Sequence, residues 1–213
     1  MNTAKQFSNL FISNHPLILE KLSRLRDENT PYYHFKPILE EVSQLLFYEA
    51  GANIETDDVT IRTPLEEMTG HRLKKEILLV PILRAGLSMV NGIMNLWQEA
   101  RVGMLGMYRD HETLEPVDYY VNLPENMSEL NVYLLDPMLA TGGSAIAGIE
   151  RLKKKGVTQL SMIALLCAPE GVAVVQDAHP DVNIYAGALD RQLNEKGYIL
   201  PGLGDAGDRY FGV

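Results

Sequence analysis

What the chain has little of narrows its function first. It carries one cysteine, Cys167, set in an apolar run, so no disulfide can form within the chain and a buried small hydrophobe is the expected role. It has no surplus of basic charge. Nineteen Lys and Arg stand against 28 Asp and Glu, a net charge of −9, which argues against nonspecific nucleic-acid binding. Long apolar runs are missing too: a segment such as 77–83 is too short to span a bilayer, and the N-terminus shows no signal-peptide hydrophobic region. A soluble, cytoplasmic protein with no membrane partner is expected. His15, His34, His71 and His179 show no ligand spacing, so no zinc site is implied. There are no internal repeats and no low-complexity segments.

What is there fits one globular domain. A chain of 213 residues, 46% apolar and 22% charged, can bury a sizeable core. The stretch from Val132 to Ser144 organises it. Val132 to Leu135 reads as a short buried strand, with Asp136 where that strand should end. The loop Thr141-Gly142-Gly143-Ser144 follows, and apolar residues at 145, 146, 149 and 152 then have helical spacing. Strand, glycine loop and helix together aim backbone N–H groups at an anion, because glycine permits close approach and the helix N-terminus carries partial positive charge. The loop reads as a cradle for a phosphate monoester, and the acceptor-only carboxylate of Asp136 suits the hydroxyls of an attached sugar. No lysine follows the glycines, as a nucleotide-kinase loop would require, and Gly-x-Gly-x-x-Gly is absent. The plainer alternative is a glycine-containing turn with a serine N-cap.

Strands and helices alternate along the rest. Helices are expected over about 17–28 and 35–50, an edge strand over 59–62, and a doubly covered strand over 77–83 with Pro81 near the end of its pairing. A helix over 87–97 with Leu87, Val90, Met94 and Trp97 on one face precedes strands at 102–108 and 117–121. Further strands at 160–168 and 183–188 flank a helix over 172–178 opened by Pro169-Glu170-Gly171. This predicts a mostly parallel open sheet flanked by helices, an α/β fold with right-handed crossovers. Arg84 stands at the C-terminal end of the 77–83 strand, where such sheets bind ligands, and its fork matches phosphate oxygens. The polar segment between the strands at 102–108 and 117–121 makes a long hairpin that can fold over a site. The tail from Tyr198 to Arg209 holds too many glycines and prolines for a helix or interior strand; a rigid loop there can present its backbone to a flat heterocycle.

Leu134-Leu-Asp-Pro-Met-Leu-Ala-Thr-Gly-Gly-Ser144 resembles the phosphoribosyl diphosphate (PRPP) loop of the type I phosphoribosyltransferases. The pair Asp136-Pro137, in place of two adjacent acids, resembles the uracil phosphoribosyltransferase branch. Val80-Pro-Ile-Leu-Arg84-Ala-Gly-Leu87, Tyr108-Arg109-Asp110, Glu112-Thr-Leu-Glu-Pro116 and Gly197 to Arg209 match the same branch in the same order. The resemblance implies transfer of the 5-phosphoribosyl group from PRPP to N1 of uracil, giving UMP and diphosphate in pyrimidine salvage. It assigns PRPP binding to Arg84, Arg109, Asp136, Pro137, Met138, Leu139, Ala140, Thr141, Gly142, Gly143, Ser144 and Asp205. Uracil falls to Ile199, Gly204, Asp205 and Ala206, and the chemistry to Asp205, Arg109 and Arg84. Mg²⁺ is the implied cofactor, held mainly by PRPP oxygens and water, with no metal site of the protein's own.

The resemblance further implies a helical arm at 1–52, a lid hairpin at 109–121 and a base-binding tail at 189–213 within one domain. Unusual backbone geometry is expected within 83–86. Association into a homodimer or higher homo-oligomer is implied, and some relatives respond to GTP. Two departures concern the lid: Asn122 stands where relatives commonly carry lysine, and His111 where they carry proline. A regulator on the same fold and transfer to another base, such as hypoxanthine or orotate, are the competing functions. The missing basic stripe counts against the first, and Asp136-Pro137 with the tail counts against the second.

Overall fold

The computed structural model describes residues 2–3, 7–109 and 116–213, with the backbone alone at residues 2, 3, 108, 109, 116 and 118. Short strands β1 (Asn2–Thr3) and β2 (Leu10–Ile12) precede helices α1 (Pro16–Arg26) and α2 (Tyr32–Ala50). Strands β3 (Thr56–Arg62) and β4 (Glu67–Leu73) lead to β5 (Glu76–Leu83) and α3 (Leu87–Leu96). Strands β6 (Arg101–Val102), β7 (Met104–Arg109), β8 (Pro116–Asn122), β9 (Leu130–Leu135) and β10 (Met138–Leu139) lead into α4 (Gly143–Lys154). Strand β11 (Gln159–Cys167), α5 (Pro169–Ala178), β12 (Asn183–Leu189), β13 (Gln192–Leu193), β14 (Ile199–Leu200) and α6 (Ala206–Phe211) complete the chain.

The main sheet runs β1-β2-β12-β11-β9-β5-β7-β8, with β10 beside β11 and β6 beside β5. All its pairings are parallel except β1 with β2 and β7 with β8. The order reverses between β5 and β9. From β5 the chain moves through α3 to β7 on one side; from β9 it moves through α4 and α5 to β11 and β12 on the other. Such a switch point opens a crevice at the carboxyl ends of the two strands, where open α/β sheets bind ligands.

Both faces of the sheet are covered, and the period-two geometry of a strand divides its residues between them. Ile77 and Leu79 of β5 and Tyr133 and Leu135 of β9 join one core with Leu22 and Leu25 of α1, Leu39, Val42 and Leu46 of α2 and Ile93 of α3. Leu78 and Val80 of β5 and Val132 and Leu134 of β9 join the other, with Ile149 and Leu152 of α4 and Val172 and Val175 of α5. Cys167 is fully buried in that second core, and burial pushes its thiol pKa up. Helices α1 and α2, expected as an arm beside the sheet, pack over one face of it. Pro81 is the last β5 residue in register with β9, opposite Leu135, which explains its tolerance in a central strand. Among the described residues no helix is long and apolar enough to cross a membrane.

Four elements differ from the sequence reading. The expected edge strand at 59–62 is instead half of an antiparallel ribbon, β3 with β4, separate from the main sheet. Its residues are almost all exposed, so no hydrophobic alternation marks β4. In α3 the buried face is Met89, Val90 and Ile93, while Leu87 is 37% exposed, because the helix packs against α2 as well as the sheet. Helix α4 is capped by Gly142 at φ +85 and not by a serine. The tail contains a short helix after all: the carboxylate of Asp205 accepts from the Asp208 amide at 2.9 Å and starts α6.

Candidate active site

Three segments meet at the carboxyl end of the sheet. The first is the turn after β5. The Leu83–Arg84 peptide bond is cis, the unusual backbone anticipated for 83–86. Gly86 donates to the Ile82 carbonyl at 2.8 Å, and the Ser88 hydroxyl donates to the Ala85 carbonyl at 2.6 Å. A Cβ on Gly86 would overlap the Leu135 carbonyl, so this turn lies directly against the end of β9. Arg84 is exposed, and no described residue pairs with its side chain.

The second segment is the loop from Asp136 to Ser144. It is stitched to the sheet along its length. The Asp136 amide donates to the Ile163 carbonyl at 3.3 Å, Leu165 and Leu166 donate to the Pro137 carbonyl at 3.0 and 3.1 Å, and Ala168 donates to the Leu139 carbonyl at 2.9 Å. Leu139 is 2% exposed and packs in the core, so its side chain anchors the loop and does not face the crevice. Gly142 caps α4 without a side-chain hydrogen bond, so the first-turn N–H groups keep their donor capacity for an outside acceptor. Gly171, in the first turn of α5, lets the loop seat itself: a Cβ there would overlap the Ala140 carbonyl, and one on Gly142 would lie 3.0 Å from the Gly171 carbonyl.

The third segment is the tail. β13 and β14 form a small hairpin whose turn is held by Asn194, which accepts from the Lys196 and Tyr198 amides at 2.9 Å each. The Glu170 carboxylate of α5 accepts from the Leu193 amide at 2.9 Å and ties the hairpin to the glycine loop's neighbour. The Cβ position of Gly197 lies 3.8 Å from the methyl of Thr141. The three segments enclose a cleft of about 190 Å³, lined by Ala85 from the first, Met138 and Ala140 from the second, and residues 197–199 and 204–207 from the third.

Asp205 lines this cleft, and Asp136, two residues before Met138, lies close enough to feel its charge. Enclosure by protein raises the Asp136 carboxyl to about 7; the amide of Met138, 3.2 Å away, works against that rise, and the negative charge of Asp205 adds to it. Larger cavities exist at the other end of the sheet and beside the ribbon, of about 330 and 780 Å³, but neither touches the glycine loop or the Arg84 turn.

The sequence of the whole chain supplies the remaining observation: a family model described as uracil phosphoribosyltransferase matches residues 12–213. The chain belongs to that family. It is 51% identical over 203 residues to the uracil phosphoribosyltransferase of Macrococcus caseolyticus, covering 95% of this chain and 97% of that one. It is 50% identical over 207 residues to that of Halalkalibacterium halodurans, covering 97% and 99%. Among solved structures, the AQ2163 protein of Aquifex aeolicus superposes with a TM-score of 0.90 at 38% identity, over 96% of this chain and 98% of that one. A hypoxanthine-guanine phosphoribosyltransferase of Bacillus anthracis superposes with a TM-score of 0.52 at 12% identity, over 75% and 80%, a likeness of fold alone.

Of the residues singled out from the sequence, Met138, Ala140, Ile199, Gly204, Asp205 and Ala206 line the one cleft. Thr141 faces the tail at Gly197. Pro137 and Leu139 are held toward β11. Arg109 ends β7 in register with Pro116 of β8, and its side chain lies outside the described residues, as do Asp110, His111 and the rest of 110–115. Sequence reasoning passed over Ala85, Gly197, Tyr198 and Gly207, which also line the cleft, and Gly171 beneath it. Gly171 had a signal: a glycine inside the first turn of a helix calls for a reason, and here it is backbone contact.

Proposed function

We propose that this chain transfers the 5-phosphoribosyl group from PRPP to N1 of uracil, giving UMP and diphosphate, as a step of pyrimidine salvage. The observation that carries this reading is the single cleft in which the Arg84 turn, the glycine loop and the tail converge at the sheet's switch point. The glycine loop, 136–144, takes the ribose 5-phosphate on main-chain N–H groups and on Thr141 and Ser144, with Asp136 accepting from the ribose hydroxyls. Arg84 and Arg109 take the diphosphate. Bond breaking builds oxocarbenium character at ribose C1 and charge on the departing diphosphate, so both arginines hold it more tightly as it leaves.

The tail reads the base through its backbone around Ile199, Gly204 and Ala206. Uracil offers two carbonyl acceptors and ring N–H donors, and cytosine would leave a buried group mispaired. Asp205 orients uracil or accepts the N1 proton. One of its oxygens receives the Asp208 amide, and the other is directed to no described residue. Asp136 and Asp205, near enough for the charge of one to raise the pKa of the other, fit a cation brought in by the diphosphate. Mg²⁺, held mainly by PRPP oxygens and water beside them, would offset charge on the leaving group. The hairpin 109–121 serves as the lid and 189–213 as the base-binding tail of one domain. Self-association belongs to the same reading; the ribbon leaves Ile61, Leu65 and Met68 exposed, a surface suited to a second copy. GTP as an effector rests on the family resemblance alone.

The test is an assay of labelled uracil, hypoxanthine and orotate, each with PRPP and Mg²⁺. Nucleotide should form with uracil and not with the others; product from another base alone would move the assignment of the tail. A second expectation follows from Asp136. With its pKa near 7 in the free protein, it holds a proton that the unfolded chain releases near 3.8, so stability from this group falls as pH rises between those values. Ribose hydroxyls donate to the ionised form, so PRPP binding just below pH 7 should expel a proton. Calorimetric heats should then differ between buffers of different ionisation heat, and Asp136→Asn should shrink the difference to the part that comes from the substrate's own phosphates, whose second pKa is about 6. A difference of the same size in Asp136→Asn and the wild-type protein would remove Asp136 from the ribose.

A further inference from the structure

An ion pair outside the cleft grips Gly202, in the part of the tail assigned to the base. Asp190 follows directly on β12 and is 8% exposed. Its carboxylate accepts from both terminal nitrogens of Arg26, the last residue of α1, at 2.8 and 2.6 Å. The same carboxylate accepts from the Gly202 amide at 2.8 Å, and Arg26 also donates to the Gly202 carbonyl at 2.9 Å. One pair therefore holds both polar groups of Gly202. That residue has φ +64, and a Cβ on it would overlap the Ile199 carbonyl, so the turn from Ile199 to Gly202 closes on itself around the point the pair grips. Ile199 precedes this point and Gly204 to Ala206 follow it, all on the cleft. A second arginine fixes the next residue to the same helix end: Arg209 donates to the Leu203 carbonyl at 2.7 Å and to the Leu25 carbonyl at 2.5 Å, with its guanidinium 4.4 Å from the centre of the Phe35 ring.

Stability alone does not account for such a pair, since desolvation largely offsets the attraction between enclosed charges. What a rigid, bidentate fork supplies is geometry. A base read by main-chain groups has no flexible side chain to correct an error, so the path of the backbone is itself the specificity element. We propose that Arg26 and Asp190 are positioning residues that set the main-chain path of 199–206 and thereby the affinity for uracil. The inference rests on the assignment of that stretch to the base, and its test separates the two.

Arg26→Lys keeps the charge and loses the fork. It should raise KM for uracil on the order of tenfold and lower kcat, with a much smaller rise in KM for PRPP, which shares Asp205 but is held mainly by the glycine loop and the arginines. Without any substrate, amide hydrogen exchange in 199–206 should quicken while β9 and β11 keep their protection. Asp190→Asn should give the same split, and Arg26→Lys carries the test if that variant fails to fold. An unchanged uracil KM with unchanged exchange, or both KM values rising together with exchange quickening throughout, overturns the positioning role. Absence of UMP formation by the wild-type protein overturns the uracil assignment instead, and the substrate-free exchange still judges the positioning.

Discussion

Replacing Arg84 by alanine should lower kcat/KM by about 10²- to 10³-fold, the usual consequence of removing one donor aimed at developing charge. The fold should survive. Arg84 is exposed, no described residue pairs with its side chain, and the turn that carries it is held by backbone bonds that alanine retains, such as Leu87 donating to the Arg84 carbonyl at 3.1 Å. A stability change within about 0.5 kcal/mol is expected for truncation at such a position. Under the proposed assignment the loss should fall mainly on kcat, because the diphosphate would gain charge as the bond to C1 breaks and the guanidinium would hold it better then than in the ground state. Arg84→Lys should restore part of the rate through charge without the two parallel hydrogen bonds. Steady-state kinetics with uracil and PRPP beside a thermal melt decide the matter. Unaltered kinetics in a folded Arg84→Ala protein would take this residue away from the diphosphate.

The second large effect is expected at a residue that touches no substrate. Gly171→Ala should destabilise the protein by about 1–3 kcal/mol and weaken PRPP binding on the order of a hundredfold. The added methyl would overlap the Ala140 carbonyl and crowd that of Leu139, both backbone atoms of the glycine loop, and neither can turn aside as a side chain would. The loop must lift off α5, carrying Thr141 and Gly142 with it. Gly156→Ala is the control. Gly156 has φ +86 but nothing within 4 Å of its Cβ position, so backbone strain of about 1 kcal/mol is the whole cost and PRPP affinity should hold. Equal PRPP affinity in Gly171→Ala and the wild-type protein would show that the loop is not seated by this contact.

The parts of the fold visible in the sequence are those whose burial follows a simple rule. β5 and β9 are covered on both faces, so each reads as an unbroken apolar run, and the glycine loop after β9 declares itself by composition. The β3–β4 ribbon could not be read in the same way, because a ribbon with both faces in solvent leaves no alternation to find. α6 was hidden by its neighbours: the glycines and proline of 197–204 outweighed the local signal of Asp205 followed by Asp208, a side-chain cap with an acid in the first turn. β10 is two residues long, below what any periodicity reports. Thr141, Ser144, Asp136 and Arg84 were legible as types suited to phosphate or sugar, whereas Ile199, Gly204, Asp205 and Ala206 were assigned to the base only by the family resemblance. Their meeting was not, since Ala85, Met138 and Gly197 come together only through the strand order and through hydrogen bonds such as that from the Leu193 amide to Glu170.

The pairing of β10 with β11 has a bearing on how the protein works through repeated cycles. Met138 and Leu139 lie in register with Leu166 and Cys167, so the middle of the glycine loop is part of the sheet. The conformational freedom of those residues is surrendered once, when the chain folds. Under the proposed assignment, a sugar phosphate would meet a loop middle already shaped and would not have to order it at each arrival.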